Sequence, residues 1–318
     1  MIYLYRTLCI LFACVAVTHA TAQEFPTKPM RFVVPNNPGI LPDILARVMS
    51  KEMAKSFGQP VIVENKTGAG QLVAYEYVAK QLPADGYSFI IVSIPVLSSM
   101  PATVKDLRFD PLTDLTPVLG IAESQIMLAT SAQSPWKSMN ELVAYAKANP
   151  GKLNFGSSSN VTRLYTEAVL QNMGLSMVHI PYNASGPYTQ AMVNGDFHVG
   201  ITSETTVISV GERLRVLLVT GAQRMAAYPN APTFGEIGQP LIKTSGYQLS
   251  VRNGTPKVAS QRIYQAALAS MRDPEVLATA AKFKLQIVEE SADAAAKRMN
   301  EQGRLFIDLA NRVGLKPE

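Results

Sequence analysis

The run RFVVPNNPGILPD at residues 31–43 decides the fold, because it passes from a strand through a loop into a helix. Its first residues are apolar and β-branched, Pro, Asn and Gly follow, and an amphipathic helical pattern opens at Asp43. The first turn of a helix leaves backbone N–H groups unpaired, and the helix dipole favours negative charge there. We therefore predict that this corner of the chain holds an anion.

A second strand-to-helix corner, NFGSSSNVT at residues 154–162, precedes a helix that is predicted to begin near Arg163. Two anion corners far apart in the chain suggest a carboxylate held between two lobes. One corner alone would carry little weight, because every α/β sheet has several. The serines of the second corner could form a plain polar loop, but their position before a helix favours contact with a ligand.

Short apolar, β-branched segments alternate with helical patterns along the rest of the chain. This alternation predicts an α/β fold in which each of two lobes is a mostly parallel sheet flanked by helices. No low-complexity linker is present, so we expect paired crossover strands near 120–130 and 215–225 to join the lobes. Strands are predicted at residues 30–35, 60–64, 88–92, 125–129, 153–155, 177–181, 198–201 and 215–219.

The first 22 residues have the pattern of a secretory signal peptide. Arg6 is the only charge before an apolar stretch, and small residues precede Gln23. Both cysteines, Cys9 and Cys14, lie in this leader, so the mature chain is predicted to have no disulfide and no thiol nucleophile. The sequence around Cys14 is a poor match to a lipoprotein cleavage box, and lipidation there stays an alternative.

The charge pattern and the missing motifs exclude several classes of function. The formal net charge is +5, but the basic residues are dispersed, which argues against nucleic acid as a partner. The sequence has no G-x-S-x-G elbow, no P-loop and no zinc-type spacing, so it predicts no enzyme, no cofactor and no metal. His179 is interpreted as a half-buried structural histidine, and His198 as a residue of either the pocket or the lobe edge.

A series of short motifs runs in order from Phe25 almost to the C-terminus. It comprises FPTKP (25–29), GQPVIVEN (58–65), GAG (68–70), DGY (85–87), AKANPGKL (146–153), HIPY (179–182), SGP (185–187), APT (231–233) and GTP (254–256). Each motif is weak alone, but in this order behind a signal peptide they are specific. The chain resembles the periplasmic substrate-binding proteins of tripartite tricarboxylate transporters, a family first noted in Bordetella.

The resemblance implies a venus-flytrap protein of the type II-like periplasmic-binding fold, which closes on a small carboxylate and delivers it to membrane permease subunits. It favours a monomer. In the family, the loops that match 36–43 and 157–163 hold the carboxylate, largely through backbone N–H groups and bridging waters. We predict lobe 1 at residues 23–122 and 227–318, and lobe 2 at residues 123–226.

The predicted ligand contacts lie on loops that follow strands. Asp43 is predicted to cap its helix and fix the first loop rather than touch the ligand, since two negative charges would repel. The predicted contacts are Asn36, Asn37, Pro38, Gly39, Ile40, Gly70, Gln71, Ser157, Ser158, Ser159, Asn160, Thr162, Arg163, Ala184, Ser185, Thr202 and Ser203.

Three departures from the family pattern bear on the ligand. Arg163 stands where a histidine is common; it could pair with a second anionic group, or it could be an ordinary surface residue. His198 replaces a common aspartate and Gly246 a common tryptophan, which would make the pocket less negative and roomier. These departures favour a di- or aromatic carboxylate over an amino acid, whose ammonium needs an acid.

Two alternative functions stay open. A sensory module that reports its ligand to a membrane kinase would have the same fold and the same pocket. A periplasmic α/β hydrolase would need a loop serine paired with His179 or His198.

Overall fold

The computed structural model describes residues 25–238 and 245–317, and the predicted leader at 1–22 lies outside them. Strands and helices alternate over much of this part of the chain, which confirms the α/β class. The strands are β1 (Met30–Val34), β2 (Val61–Asn65), β3 (Ser88–Ser93), β4 (Leu115–Ser124), β5 (Ile126–Ser131), β6 (Asn154–Ser157), β7 (Val178–Pro181), β8 (Gly200–Ser203), β9 (Leu214–Val219), β10 (Ser245–Arg252) and β11 (Gln286–Ser291). The α-helices are α1 (Leu41–Phe57), α2 (Leu72–Glu76), α3 (Ile94–Thr103), α4 (Met139–Ala148), α5 (Asn160–Asn172), α6 (Ser185–Asn194), α7 (Glu204–Val210), α8 (Lys257–Ser270), α9 (Pro274–Lys282) and α10 (Ala292–Val313).

The larger sheet has six strands in the order β11–β4–β10–β3–β1–β2. Strands β2, β1 and β3 run parallel, so their carboxyl ends lie side by side at one edge of the sheet. Strand β10 runs antiparallel to β3 and β4, and β11 runs antiparallel to β4. The sheet is therefore mixed, and the prediction of a mostly parallel sheet is wrong. The cause is that β4 leads out to the second sheet and β10 leads back, in opposite directions.

The second sheet region comes from the chain between these two long strands. Strands β6 and β7 pair in parallel, and a parallel bridge from Phe155 to Val199 sets β6 beside the start of β8. Strands β8, β5 and β9 then pair antiparallel, so this region is mixed as well. The carboxyl ends of β7, β6 and β8 lead directly toward α6, α5 and α7.

The outgoing connection between the sheets is one residue long, and the return from β9 to β10 is longer. Gln125 alone separates β4 from β5. Thr220, which follows β9, donates a hydrogen bond to the Gln125 side-chain oxygen over 2.7 Å and accepts one from the Ile126 N–H over 2.9 Å. Gln125 lies within the crossover expected near 120–130. The return expected near 215–225 comes later, because the chain still runs beside β9 at the bridge between Val219 and Thr233 and reaches β10 at Ser245. Paired crossovers of this kind serve as the hinge of two-lobed proteins.

The last helix, α10, packs against both regions. Met299 in its first half belongs to the apolar cluster under α3 in the larger sheet region. Phe306, about two turns later, is fully buried in the core of the second region, where its ring lies 5.1 Å from that of Tyr165. The helix therefore contributes to the cores of both lobes.

Candidate functional site

A cavity of about 240 Å³ lies where the carboxyl ends of β3, β6 and β8 face one another across the hinge. Residues of both sheet regions line it. Helices α3, α5 and α6 begin at this cavity, because Ser93, Ser159 and Ser185 at their starts line it. Ten of the lining residues are serines or threonines: Ser93, Ser158, Ser159, Thr162, Ser185, Thr189, Thr202, Ser203, Thr206 and Ser245.

The rest of the lining is apolar or aromatic. It consists of Pro95, Val96, Ile126, Val161, Tyr165, Tyr188 and Ile201. No residue found to line the cavity, within the part of the chain that the structure describes, carries a charge. Helix N-termini and hydroxyl groups together attract an anion without supplying a cation, and the apolar side suits a carbon skeleton. A cavity of this size suits a small molecule.

The start of α5 is closed by neutral groups. The Ser159 hydroxyl accepts a hydrogen bond from the Thr162 N–H over 3.2 Å. The Thr162 hydroxyl in turn accepts from the N–H groups of Ser158 and Ser159, each over 3.1 Å. This capping arrangement fixes the loop without placing a charge at the positive end of the helix dipole.

Ser93 stands at the start of α3 and was not predicted as a site residue. Its N–H donates a hydrogen bond to the hydroxyl of the buried Tyr75 over 3.2 Å, and that hydroxyl donates to the Gln71 side-chain oxygen over 2.6 Å. Gln71 is thus tied to the cavity wall although it does not line the cavity itself. A signal for this corner was present in the sequence: Ser93 and Pro95 directly after a predicted strand are typical of a helix start.

The first predicted corner has a different construction. Helix α1 begins at Leu41 behind Ile40, which makes no side-chain cap, so the prediction that Asp43 caps the helix is wrong. Asp43 is the third residue of the helix, and its carboxylate accepts a hydrogen bond from the Gly39 N–H over 2.8 Å. The loop is held from inside the first turn, while Ile40 is 45% exposed.

The Asp43 carboxylate is almost fully buried and has several partners. The side-chain amide of Asn65 donates to it over 2.8 Å, and the Arg47 guanidinium pairs with it over 2.9 Å. Burial alone would raise the pKa of Asp43, but the hydrogen bonds from Arg47, Gly39 and Asn65 outweigh it and hold the pKa below its usual value. This corner therefore already contains an anion of its own.

The structure brings some of the predicted contacts together and leaves others apart. Those that line the cavity are Ser158, Ser159, Thr162, Ser185, Thr202 and Ser203. Those outside its lining are Asn36, Asn37, Pro38, Gly39, Ile40, Gly70, Gln71, Ser157, Asn160, Arg163 and Ala184. Asn160 and Ala184 adjoin lining residues in the chain, and the loops at 36–40 and 70–71 follow β1 and β2 at the same sheet edge as Ser93.

Arg163 pairs along its own helix rather than facing the cavity. Its guanidinium donates to the Glu167 carboxylate over 3.0 Å. It also lies near His179, whose ring nitrogen is 2.7 Å from the hydroxyl of the buried Ser157. Burial lowers the pKa of His179, and the Arg163 charge lowers it further. A serine hydrolase needs an anion beside its histidine, so a cation there opposes that chemistry.

His198 and Gly246 have structural surroundings. The His198 ring accepts a hydrogen bond from the Asn154 N–H over 3.0 Å, burial lowers its pKa, and it is not among the cavity-lining residues. A Cβ at Gly246 would lie 2.8 Å from the guanidinium of Arg298, which pairs with Glu290 over 2.6 Å. The absence of a side chain at Gly246 makes room for Arg298, and Gly246 is not among the cavity-lining residues, so the wider pocket stays a prediction.

One acidic group lies close to the cavity without lining it. Glu204 is the first residue of α7, next to Ser203, and it is half-buried. Burial raises its pKa, which Lys284 partly offsets. Across residues 25–238 and 245–317 there is no cluster of three His, Cys, Asp or Glu residues that could hold a metal ion. No helix in the same ranges is long and apolar enough to cross a membrane.

The sequence matches a family model described as "Tripartite tricarboxylate transporter family receptor" over residues 45–315. The chain belongs to this receptor family. A relative from Cupriavidus necator, the "UPF0065 protein in gbd 5'region", is 36% identical over 273 residues, which cover 84% of this chain and 82% of the relative. The resemblance found in the sequence motifs is thereby confirmed.

Solved structures agree with this assignment. A periplasmic transporter is 30% identical with a TM-score of 0.76, covering 92% of this chain and 99% of its own. An R. palustris protein solved with adipate is 27% identical with a TM-score of 0.76, covering 93% of this chain and 100% of its own. The receptor family consists of periplasmic solute-binding proteins. This chain is therefore a two-lobed solute-binding receptor and not an enzyme.

Proposed function

We propose that this receptor captures a small carboxylate between its two lobes, with a di- or aromatic carboxylate favoured, and delivers it to a membrane permease of the tripartite tricarboxylate type. The observation that carries the proposal is the cavity at the starts of α3, α5 and α6, which is rich in hydroxyl groups and has no charged side chain in its described lining. Helix N-termini supply the partial positive charge that a carboxylate needs.

The lining also bears on the rest of the ligand. An amino acid would bring an ammonium group, which needs an acidic partner when it is buried, and no Asp or Glu has been found in the cavity wall within the described residues. The apolar side formed by Val96, Ile126 and Ile201 suits a carbon chain or a ring. The relative solved with adipate gives a precedent for a diacid in this fold.

Closure of the lobes completes the proposed site. The loops at 36–40 and 70–71 leave the sheet at the same edge as Ser93, one and two strands away. Neighbouring strands lie about 4.8 Å apart, so rotation about the hinge at Gln125 and Thr220 can carry both loops toward a ligand held by the opposite lobe. Bridging waters can complete contacts that direct hydrogen bonds do not reach.

The proposal includes the setting in which the receptor works. We infer that residues 1–22 direct export to the periplasm and are removed, and that the mature chain acts as a monomer. Residues 23–122 and 227–318 are assigned to lobe 1 and residues 123–226 to lobe 2, with α10 packed against both cores.

A thermal-shift screen of the mature chain tests the proposal. The panel contains aliphatic and aromatic mono-, di- and tricarboxylates, and the methyl ester of each acid is its neutral control. A ligand at about a thousand times its Kd stabilises the folded state by about 4 kcal/mol, which raises the Tm by several degrees for lobes of this size. We expect acids of one class to raise the Tm and their esters to have no effect. Equal shifts with acid and ester, or no shift with any acid, would contradict the proposal.

A further inference from the structure

Tyr165 lies in the cavity wall on the same face of α5 as Val161 and Thr162, which are four and three residues away, respectively. Its side chain is fully buried, and its hydroxyl has no hydrogen-bond partner among the residues that the structure describes. A buried hydroxyl left without a partner costs about 1–3 kcal/mol. The free protein therefore carries a cost at this position that a bound molecule can remove.

Tyr188 gives the contrast within the same cavity. It also lines the wall and is buried, but its hydroxyl donates to the Ile201 carbonyl over 2.8 Å. The Tyr188 hydroxyl therefore already has a hydrogen-bond partner in the free protein. The Tyr165 hydroxyl has none among the described residues, although the rest of its ring packs against Phe306 at 5.1 Å.

Tyr165 lies away from the helix starts at which the carboxylate is proposed to bind. It lies six residues beyond Ser159, so its Cα is about 9 Å farther along the helix axis than the N-cap. It belongs to the apolar cluster that includes Ile126 and Ile201, and it does not adjoin the serines at the helix start. A ligand whose carboxylate lies at the start of α5 would present its remaining atoms to Tyr165.

We infer that Tyr165 is a specificity-determining residue that donates a hydrogen bond to a second oxygen of the ligand, apart from the carboxylate held at the helix starts. This inference rests on the proposed function. The ligand is then a carboxylate with a further oxygen acceptor, either a second carboxylate or a neutral hydroxyl or carbonyl. A plain hydrocarbon end would leave the Tyr165 hydroxyl unpartnered and so bind less well.

The chemistry of the group agrees with a donor role. Burial raises the pKa of Tyr165, so the phenol keeps its proton at neutral pH. Because the hydroxyl oxygen is covered in the free protein, contact with a ligand requires a small side-chain movement in the cavity wall, which is common on binding. A neutral oxygen also fits an uncharged wall at lower desolvation cost than a second carboxylate.

The test combines two protein variants with matched pairs of ligands, measured by isothermal titration calorimetry. Adipate is paired with hexanoate, and 4-hydroxybenzoate with benzoate, so that each pair differs by one oxygen-bearing end. Tyr165→Phe is expected to weaken the oxygen-bearing member about tenfold and to leave the other member within about twofold. Selective loss with adipate identifies a second carboxylate as the acceptor, and selective loss with 4-hydroxybenzoate identifies a neutral hydroxyl.

Stability measurements and a control variant make the result specific. Tyr165→Phe removes an unpartnered hydroxyl, so the Tm of the free protein should stay unchanged or rise. Tyr188→Phe deprives the Ile201 carbonyl of its donor, so the Tm of the free protein should fall, in contrast to Tyr165→Phe. Equal weakening of both members by Tyr165→Phe, or no weakening, would overturn the inference while carboxylate binding itself stands. Failure of the wild-type chain to bind any of the four acids would count against the proposed function.

Discussion

The starts of α1 and α5 are alike in sequence position and opposite in chemistry. Each follows a parallel strand, and each was predicted to hold an anion. At α1 the first turn encloses the buried Asp43, which accepts the Gly39 N–H and is neutralised by Arg47. At α5 the hydroxyls of Ser159 and Thr162 close the turn without charge. A carboxylate inside the first turn already occupies the positive end of the helix dipole and repels a second anion, so α5 is the better carboxylate site.

The two helix starts also differ in how far the hydrogen bonds of Asp43, and those of Ser159 and Thr162, reach into the rest of the fold. Asp43 connects the loop to α1 and accepts a hydrogen bond from Asn65 at the end of β2. The Asn65 side chain also donates to the Asn36 carbonyl in the loop. Among the described residues, the hydroxyls of Ser159 and Thr162 hydrogen-bond only to each other's residues and to Ser158. The first corner should therefore be important for stability, and the second for ligand affinity.

Replacing each anchor by alanine gives the largest expected difference. Asp43→Ala should lower the free energy of unfolding by about 3 kcal/mol, because it removes the acceptor of Gly39, Asn65 and Arg47 at a buried position. Ser159→Ala removes one neutral cap and should cost about 1 kcal/mol. Urea denaturation of both variants measures these values, and equal losses would contradict the contrast.

A single substitution can give the second corner the charge of the first. Ser159→Asp keeps a good N-cap, so stability should change by no more than about 0.5 kcal/mol. The added carboxylate should repel the bound one and lower affinity at least about thirtyfold. Ser159→Asn is the matched neutral control and should keep affinity within about threefold. Calorimetry with the acid that binds best in the screen measures both affinities. Equal affinity of Ser159→Asp and Ser159→Asn would show that the carboxylate does not bind at the start of α5.

The pH dependence of the free energy of unfolding should show a smaller difference between the two corners, because only the first contains a buried carboxylate. The pKa of Asp43 is lower in the folded chain than in the unfolded one, so the unfolded state binds more protons and the stability from Asp43 is lost as pH falls through the carboxyl range near about 4. The stability gap between wild type and Asp43→Asn should therefore narrow from about pH 6 to about pH 3. A gap that stays constant would show that Asp43 is not held in its charged form.

Arg163→Ala has the smallest expected effect on binding. Its guanidinium pairs with Glu167 and is absent from the cavity lining, so affinity for a diacid and its monoacid analogue should each change by less than about twofold. A larger loss of affinity for the diacid in calorimetry would show that Arg163 contacts the ligand, which was one of the two sequence interpretations.

Much of the architecture follows from the sequence because apolar, β-branched runs dictate strands directly. Each predicted strand occurs within two residues of its expected bounds. Strands β4, β10 and β11 were missed for physical reasons: β4 contains Pro117 and Gly120, β10 begins with Ser245-Gly246, and β11 is an acidic edge strand. These same strands make the large sheet mixed, since the crossover direction is a property of the whole topology and not of a local pattern.

The site could be predicted in part. The serine loop before α5 was found because caps and turns have local signals. Tyr165 and Ile201 were not found, because cavity walls are built from core residues whose sequence pattern is that of any buried side chain. Asp43 fixes the first loop as predicted, but it is not the N-cap: the helix starts two residues earlier than its apolar pattern suggested, which places the carboxylate inside the first turn.

A crystal structure of the mature chain with the acid that binds best tests the central claim most directly. The account predicts a carboxylate between the lobes, within hydrogen-bond distance of the helix starts at Ser93, Ser159 and Ser185, with the ligand's carbon skeleton against Val96, Ile126 and Ile201. A carboxylate bound only at residues 36–40, or an acid bound outside the cleft, would contradict it.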